Sequence, residues 1–250
     1  MKKTLVLLVS GLFLGCAVGE DNLNVTDEEI VGGTPTAGDP AVVAVYAREP
    51  GADRGSLCTG TVIAADVVLT AAHCVFPDLV GADAEFSVLL GHDITDPDTR
   101  GPEIPAAAVH YDEQFNPNNL TNGHDIAVVI LSERVDIEPV PYRREALPSS
   151  FVGDPVRIIG YGLNNGFSQS GAGVKREADV NLNGFDSKLV RTGRFGRNIC
   201  NGDSGGPVLM EIDGQETIIG VNSFGFIFCL FEASSTRVDT YSDFVDQFIR

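Results

Sequence analysis

The sequence feature that most restricts the fold is a series of short apolar segments, each ended by a turn-forming residue. These segments are rich in Val and Ile and are bounded by Gly, Asp, Asn or Pro: Ala41–Ala47, Thr61–Thr70, Glu85–Leu90, Ile126–Leu131, Val156–Ile159, Pro207–Met210 and Thr217–Val221. β-Branched runs of this length favour strands, and 28 glycines and 13 prolines supply turns between them. Helical spacing appears mainly at the end of the chain, at Tyr241, Phe244, Val245, Phe248 and Ile249. We therefore expect an all-β fold with a short C-terminal helix.

The size and charge of the chain exclude some classes of protein. A chain of 250 residues can bury one large core or two small ones, and prolines at 139, 141 and 148 mark a division into two halves. The chain has 35 acidic against 17 basic residues, a net charge of −18. A surface this negative repels phosphate backbones, so we expect no nucleic-acid partner.

The N-terminus indicates export from the cytosol. A basic start, Met1–Lys3, precedes the apolar run Leu5–Leu14, which is too short to span a bilayer and is typical of a secretory signal covering residues 1–15. The end of this run and the next two residues, Phe13-Leu14-Gly15-Cys16, resemble a bacterial lipobox, in which lipid on Cys16 would anchor the protein to a membrane. The alternative is an ordinary signal peptide cut after Gly19, which would release the protein.

Cysteine number and local charge support an exported chain. With Cys16 set aside, four cysteines remain, an even number that suits disulfides and allows three pairings: Cys58, Cys74, Cys200 and Cys229. Segment 17–29 holds five acidic residues and no basic one. We interpret residues 16–29 as a lipidated cysteine followed by a solvated acidic tether or pro-segment.

Nucleophilic chemistry is indicated by Ser204, which lies in the glycine-rich segment Gly202–Pro207. Glycines allow a tight turn that exposes the hydroxyl and brings backbone N–H groups near a ligand. A serine hydroxyl needs a base, and His73 follows an apolar run directly. A base in turn needs an acid to orient it, and Asp125 opens the buried segment that ends at Leu131.

Four motifs in this order make the sequence resemble trypsin/chymotrypsin-type serine endopeptidases of exported bacterial type. They are Ile30-Val31-Gly32-Gly33, Thr70-Ala71-Ala72-His73-Cys74, Asp125-Ile126-Ala127 and Gly202-Asp203-Ser204-Gly205-Gly206-Pro207. The resemblance implies two antiparallel six-stranded β-barrels, here residues 30–140 and 141–250, with the site in the cleft between them. It also implies that Ser204 attacks the substrate, His73 transfers protons and Asp125 orients His73.

Further roles follow from the same resemblance. The N–H groups of Gly202 and Ser204 would form the oxyanion hole, and Ser223 would hydrogen-bond the acid. The implied disulfides are Cys58–Cys74 and Cys200–Cys229. Cleavage before Ile30 would free an α-amino group that pairs with Asp203 and switches on a zymogen. Because Glu29 precedes that bond, we expect the activating protease to be one that cuts after Glu, or to act by stepwise trimming, rather than to be trypsin-like.

The resemblance places four residues at the substrate pocket: Asn198, Ile199, Gly225 and Ala233. Asn198 stands where trypsin-like members have a charged Asp, so we expect non-tryptic specificity for medium apolar or polar side chains. The nearby Arg191, Arg194 and Arg197 either form a solvated basic loop or attract acidic substrates.

The remaining features have plainer interpretations. We expect His92, His110 and His124 to be structural or surface residues. The acids Asp93, Asp96, Asp98 and Glu103 form a solvated face or, alternatively, a calcium loop. No metal or nucleotide motif appears, so we expect no cofactor. The predicted partners are protein or peptide substrates and an activating protease; the alternatives are a catalytically silent binding or adhesion module and an esterase.

Overall fold

The computed structural model describes residues 29–52, 55–225 and 227–249. The strands of this described part are, in chain order, β1 Thr34–Pro35, β2 Val42–Arg48, β3 Ser56–Ala64, β4 Val67–Thr70, β5 Glu85–Leu89, β6 Glu103–Tyr111, β7 Ala127–Leu131, β8 Pro155–Gly160, β9 Arg176–Phe185, β10 Leu189–Thr192, β11 Pro207–Ile212, β12 Gln215–Gly225 and β13 Ala233–Arg237. The predicted signal peptide, Cys16 and residues 17–28 of the acidic segment lie outside the described residues.

Helical structure is sparse. The α-helical segments are a turn at Pro77–Val80 and the C-terminal helix Ser242–Asp246, and Glu29–Gly32 is a helix-like turn whose dihedral angles at Ile30 and Val31 are not helical. Short 3₁₀ turns occur at Ala72–Cys74, Leu120–Asn122, Ser149–Phe151, Ile227–Cys229 and Asp239–Tyr241. Within the described ranges, none of these helices has the length and apolar character needed to cross a membrane.

The first barrel is a closed antiparallel sheet with strand order β2-β3-β4-β7-β6-β5. All four residues of β4 are buried, because this strand lies between β3 and β7 and covers the barrel core. The predicted apolar run Thr61–Thr70 divides into two strands, since the chain turns at residues 65–66 between β3 and β4. The resulting hairpin carries the end of β4 toward the second half of the chain.

The second barrel closes through β8-β9-β10-β13-β12-β11, because β8 pairs with both β9 and β11. The two-residue strand β1 is added beside Arg176 and Glu177 of β9. Buried and more exposed residues alternate along β9, as expected for a strand with one face on a core. The C-terminal helix returns to the first half, where Val245 belongs to the first-barrel core. Two six-stranded antiparallel barrels and a short C-terminal helix confirm the predicted fold class.

The junction between the barrels is held by buried polar groups. The side chain of Tyr161 is fully buried, and its hydroxyl lies 2.6 Å from the carbonyl oxygen of Gly91 and 3.1 Å from that of Val42. Lys175 is also buried and donates a hydrogen bond of 2.8 Å to the carbonyl of Asp39. Burial lowers the pKa of Lys175 to about 8, although the charges of nearby carboxylates oppose that shift. These contacts tie the first barrel to the start of the second.

Removing the Tyr161 hydroxyl should weaken this junction. We expect Tyr161→Phe to lower the free energy of unfolding by about 1–3 kcal/mol, because buried carbonyl oxygens lose a donor. Chemical denaturation followed by circular dichroism measures the change. Tyr46→Phe is the matched control, since its hydroxyl makes no hydrogen bond with the described residues; equal losses in the two variants would contradict the assignment.

Candidate active site

His73 and Asp125 meet because neighbouring strands carry them to the same edge of the first barrel. His73 lies in the 3₁₀ turn after β4, and Asp125 lies two residues before β7. The pairing of Thr70 with Ala127 brings the two ends together. Nδ1 of His73 is 2.7 Å from Oδ2 of Asp125, and the backbone N–H of His73 donates to Oδ1 at 2.9 Å. Both carboxylate oxygens are therefore engaged by one residue.

The second barrel supplies a further donor to this carboxylate. Asp125 is fully buried, and the hydroxyl of Ser223 on β12 donates to its Oδ2. Burial alone would raise the pKa of Asp125, but the hydrogen bonds and charge of His73, with the bond from Ser223, outweigh it and hold the pKa below its usual value. An ionised Asp125 requires the proton of neutral His73 to sit on Nδ1, which leaves Nε2 as an acceptor.

Ser204 is placed at the barrel junction by contacts of its backbone. Its carbonyl oxygen accepts a hydrogen bond of 2.8 Å from the N–H of Thr59 on β3, and Sγ of Cys74 lies 3.7 Å from the same oxygen. Cys74 adjoins His73 in the chain, so these contacts bring Ser204 close to His73. The hydrogen bonds among the described residues do not include one between the Ser204 hydroxyl and His73. Such bonds are often long in a site without substrate and tighten when substrate binds.

The turn before Ser204 leaves two backbone donors available. Within the described part of the chain, the N–H groups of Gly202 and Ser204 donate no hydrogen bond, whereas Asp203 N–H donates to Cys200 at 3.0 Å and Gly205 N–H to Asn222 at 2.8 Å. Gly202 has a φ of 101°, and a Cβ there would lie 2.8 Å from the Cα of Gly162. Only glycine suits this position, and the turn can present two donors to a developing negative charge.

Asp203 and Ile30 are both fully buried. The Asp203 carboxylate accepts hydrogen bonds of 2.8 Å from the N–H groups of Gly162 and Cys200 and forms no ion pair within the described residues. Burial raises its pKa to about 7, with the two backbone bonds and the charge of Arg176 acting in the opposite direction. Ile30 packs into the second-barrel core with φ of 34°, a strained value for a β-branched residue.

Two disulfide bonds flank the site, Cys58–Cys74 and Cys200–Cys229. These are the pairings that the resemblance implies. The first bond joins β3 to the turn that carries His73. The second joins the segment before Ser204 to the loop after β12. Each bond restrains one wall of the cleft.

A small cavity of about 60 Å³ opens beside Ser204. Its lining residues are Ile199, Cys200, Asn201, Ser204, Ser223, Phe224, Gly225 and Cys229. Of the four residues that the resemblance places at the substrate pocket, Ile199 and Gly225 line this cavity, whereas Asn198 and Ala233 are not among its lining residues. Asn198 is fully buried next to the lining residue Ile199, and its Oδ1 accepts a hydrogen bond of 2.9 Å from the N–H of Ile199, while its Nδ2 has no hydrogen-bond partner in the described chain. The methyl carbon of Ala233 lies 3.6 Å from the position of a Cβ on Gly225.

The other polar residues singled out in the sequence do not join this site. Arg191 pairs with Asp186 at 3.3 Å and lies 3.8 Å from Glu232. Asp93 and Asp96 accept hydrogen bonds within their own loop, and Glu103 accepts one from Ser87. In the described ranges, the one group of potential metal ligands close enough to share an ion is Cys58, His73 and Cys74, and both of these cysteines are in a disulfide.

His124, next to Asp125, is buried in a network that spans both barrels. Its Nδ1 lies 3.1 Å from Oδ2 of Asp112, and its Nε2 lies 3.3 Å from Nζ of Lys188. The backbone N–H of His124 donates a hydrogen bond of 2.9 Å to the hydroxyl of Tyr241. A structural role for His124 was expected, and this geometry is consistent with one.

Sequence reasoning missed Thr59 and Asn222. The hydroxyl of Thr59 donates to the carbonyl of Gly202 at 2.8 Å, in addition to the backbone bond that Thr59 makes to Ser204. The side-chain amide of Asn222 donates to the carbonyl of Asp203 at 3.3 Å. Both residues lie inside apolar strands, where a single polar residue gives no local signal of the loop that it supports.

Comparison with known proteins agrees with this geometry. The trypsin family model matches residues 30–245. The chain is 29% identical over 255 aligned positions to the proclotting enzyme of Tachypleus tridentatus, covering 89% of this chain and 66% of that protein. It is 28% identical to CLIP domain-containing serine protease HP8 of Bombyx mori, covering 76% and 61%. It is 27% identical to chymotrypsin-like elastase family member 1 of Bos taurus, covering 80% of each.

The first two of these relatives are longer than the present chain, which spans less than two thirds of HP8 and 66% of the proclotting enzyme. The family match, in contrast, covers nearly all of both barrels, including His73, Asp125 and Ser204. The chain therefore belongs to the trypsin family of serine proteases.

Proposed function

We propose that this protein is a serine endopeptidase that hydrolyses peptide bonds through an acyl-enzyme. The observation that carries the proposal is the hydrogen-bonded pair His73–Asp125, with Ser204 pinned across the same cleft by Thr59. A silent binding or adhesion module is not favoured, because nucleophile, base and acid are all present. The substrates are polypeptides, and neither a metal nor an organic cofactor enters the reaction.

The reaction uses one proton carrier for two steps. Ser204 Oγ attacks the scissile carbonyl carbon as Nε2 of His73 accepts its proton, and the oxyanion is held by the N–H groups of Gly202 and Ser204. Collapse of the tetrahedral species breaks the C–N bond, and His73 protonates the leaving amine. A water molecule then attacks the acyl-enzyme, with His73 again accepting the proton, and Ser204 is released. Ionised Asp125 stabilises the cationic imidazole in both steps.

Reactivity of Ser204 tests the proposal directly. A protein beginning at Ile30 should be labelled by a fluorophosphonate, and Ser204→Ala should abolish the labelling. His73→Ala should slow labelling by about 10²–10⁴-fold, because the hydroxyl loses its base. Mass spectrometry of the labelled peptide measures both effects.

Ser168→Ala is the matched control, since its hydroxyl is exposed and bonds to Ser170. Labelling that survives Ser204→Ala would overturn the assignment.

We further propose that cleavage before Ile30 activates the enzyme. The φ angle of Ile30 is defined by the carbonyl carbon of residue 29, so cutting this bond removes the strained torsion. Ile30 is buried in the second-barrel core, and Asp203 is a buried carboxylate that forms no ion pair within the described residues, so the new α-amino group would be a partner for it. Pairing of the two charges would lower the pKa of Asp203 and fix the turn that holds the Ser204 and Gly202 donors.

The switch predicts a large effect of one extra residue. A protein that retains Glu29 should have kcat/KM roughly 10²–10⁴-fold below that of a protein beginning at Ile30, because loss of one partner of a buried ion pair costs about 3–5 kcal/mol. Hydrolysis of a chromogenic peptide measures the ratio. Asp203→Asn should lower the activity of the Ile30 form toward that of the Glu29 form, and equal activities of the two unsubstituted forms would remove the switch.

Primary specificity is proposed to favour small or medium apolar or polar side chains. The cavity is small, about 60 Å³, and Ile199 and Phe224 give it apolar walls. The described lining carries no charged residue that could bind Lys or Arg. The similarity to a chymotrypsin-like elastase is compatible with this choice.

A peptide library should show this preference. We expect cleavage after small or medium side chains and at least about tenfold weaker cleavage after Lys or Arg, since a buried charge without a partner is strongly disfavoured. Ile199→Ala should shift cleavage toward larger residues by widening the cavity, whereas Leu79→Ala, an exposed substitution remote from the pocket lining, should not. A strong preference for basic residues would contradict the proposal.

Export and anchoring are proposed from the sequence together with the two disulfides. Disulfides persist in oxidising compartments, and the two bonds Cys58–Cys74 and Cys200–Cys229 are consistent with a protein outside the cytosol. Lipid on Cys16, if the lipobox is processed as in bacteria, would attach the chain to the cell envelope. Cleavage after Gly19 would instead give a secreted protein.

A further inference from the structure

His124, the residue before Asp125, is the point at which the chain segment of the acid is anchored. His124 is buried, and its φ of 66° is a left-handed value that is uncommon for residues other than glycine. The N–H of Ile126 donates to the carbonyl oxygen of His124 at 3.0 Å, which makes a tight turn with Asp125 at its centre. The groups that hold His124 therefore also fix the backbone from which the Asp125 carboxylate reaches His73.

Lys188 decides which ring nitrogen of His124 carries the proton. Nζ of Lys188 lies 3.3 Å from Nε2 of His124, and it donates to the carbonyl oxygen of Asn122 at 2.8 Å and to its Oδ1 at 3.1 Å. An ammonium group has three N–H donors and no acceptor, so Nε2 can bond to Lys188 only as an acceptor. The proton of neutral His124 then lies on Nδ1, which donates to Oδ2 of Asp112 at 3.1 Å.

The backbone of this turn is held by Tyr241. The N–H of His124 donates to the Tyr241 hydroxyl at 2.9 Å, and the two rings lie edge to face with centroids 5.1 Å apart. A Cβ on Gly123 would lie 2.5 Å from the hydroxyl oxygen of Tyr241 and 2.9 Å from Cβ of Lys188, so both side chains pack closely on the turn. Burial raises the pKa of Tyr241 to about 12, so its hydroxyl stays neutral where histidines titrate. We call Asp112, His124, Lys188 and Tyr241 the His124 network.

The His124 network joins the two barrels, and solvent reaches it through Asp112. Asp112 directly follows β6 of the first barrel, and Lys188 lies between β9 and β10 of the second. Asp112 also lines an open groove of about 490 Å³ together with His110 and Phe248. Protons from solvent can therefore enter the network, even though the ring of His124 is buried.

The charges around His124 act in opposite directions on its protonation. Three carboxylates favour an imidazolium: Asp112 after β6, Asp125 in the same segment and Asp186 beside Lys188. Lys188 opposes them, because a proton added to the neutral ring goes to Nε2, where the new N–H points at an ammonium group 3.3 Å away. The hydrogen bond from Lys188 is then lost and two cations face each other, whereas the bond to Asp112 remains. Protonation thus weakens the link from the second barrel to the turn.

We propose that His124 positions Asp125 for catalysis, and that it does so only while its ring is neutral. This inference rests on the proposed serine endopeptidase activity and adds a second histidine to it. His73 acts at the reacting atoms, whereas His124 acts through the backbone of Asp125. Protonation of His124 releases Lys188 from the turn, and the turn loosens beside a carboxylate that must meet His73 and Ser223 at the same time.

Two measurements on the full chain carrying Ser204→Ala test the network without any turnover. Nitrogen NMR of the histidine rings should show that neutral His124 carries its proton on Nδ1, and a proton on Nε2 would overturn the inference. Hydrogen exchange read by mass spectrometry, corrected for the intrinsic effect of pH, should show the amides of residues 122–127 exchanging about tenfold faster once His124 is protonated, because a hydrogen bond to a charged group is lost.

Lys188→Gln is the variant that should remove this acceleration. Its side-chain amide is uncharged and can donate to the neutral ring of His124 or accept from the protonated one, so protonation no longer breaks the bond. Equal acceleration of exchange in Lys188→Gln and in the unsubstituted network would contradict the inference.

The pH dependence of kcat/KM tests the positioning role. In the protein cleaved before Ile30, kcat/KM should fall over the range in which histidines titrate, about pH 8 to 5, because His73 and His124 both take up protons. Relative to its own value at high pH, the unsubstituted enzyme should lose about tenfold more activity than Lys188→Gln or His124→Asn, since protonation breaks no bond between the barrels in either variant. Asparagine also tolerates the left-handed φ of this position.

His110→Asn is the matched control for the loss of a histidine. His110 lies on β6 and stacks on Phe248 with ring centroids 4.7 Å apart, so this variant should keep the steep profile of the unsubstituted enzyme. Profiles of Lys188→Gln and His124→Asn that fall as steeply as that of the unsubstituted enzyme would overturn the positioning role. Absence of hydrolysis by the unsubstituted cleaved protein would count against the proposed function alone, because hydrogen exchange would still decide whether His124 holds the turn.

Discussion

The buried carboxylate of Asp125 is the interaction on which the arrangement of the site depends. It receives the backbone N–H and the Nδ1 proton of His73 from the first barrel and the Ser223 hydroxyl from the second. A buried carboxylate is costly unless its lone pairs are satisfied, so the barrels cannot separate at this point without exposing an unmet charge. The same bonds fix the orientation of His73 that the proposed reaction needs.

Two buried aspartates show how environment decides protonation. Asp125 accepts three hydrogen bonds, two from His73 and one from Ser223. These bonds and the charge of His73 hold the pKa of Asp125 below its usual value. Asp203 is equally buried but has only two backbone donors, and burial raises its pKa to about 7. Asp125 is therefore stabilised as an anion by the groups already around it, whereas the anion of Asp203 would be stabilised by a new cation beside it. This asymmetry underlies the proposed difference between uncleaved and cleaved forms.

Much of the fold was readable from the sequence, but not all of it. The Val- and Ile-rich segments became strands because their side chains can fill a barrel core. The strand Ala233–Arg237 was not predicted, since Ala-Ser-Ser-Thr-Arg has neither an apolar run nor alternation. It is nevertheless a central strand between β10 and β12, with Ser235 hydrogen-bonded to Asn222 at 3.1 Å. Ser235 could be buried there because Asn222 on the neighbouring strand accepts its hydrogen bond, whereas the buried hydroxyl of Thr236 has no hydrogen-bond partner among the described residues.

The sequence by itself determined the order of the chemistry-bearing motifs, the glycines at strained turns and the presence of four cysteines beyond Cys16. The motifs, glycines and cysteines are properties of side-chain type and local backbone freedom, so each can be identified from a short segment of the chain. Only the tertiary structure decided that Ile199, and not Asn198, lines the cavity, and that Thr59 and Asn222 support the loop of Ser204. Each of these depends on which distant strands pair and in what register, and that is set by the packing of two whole barrels against each other.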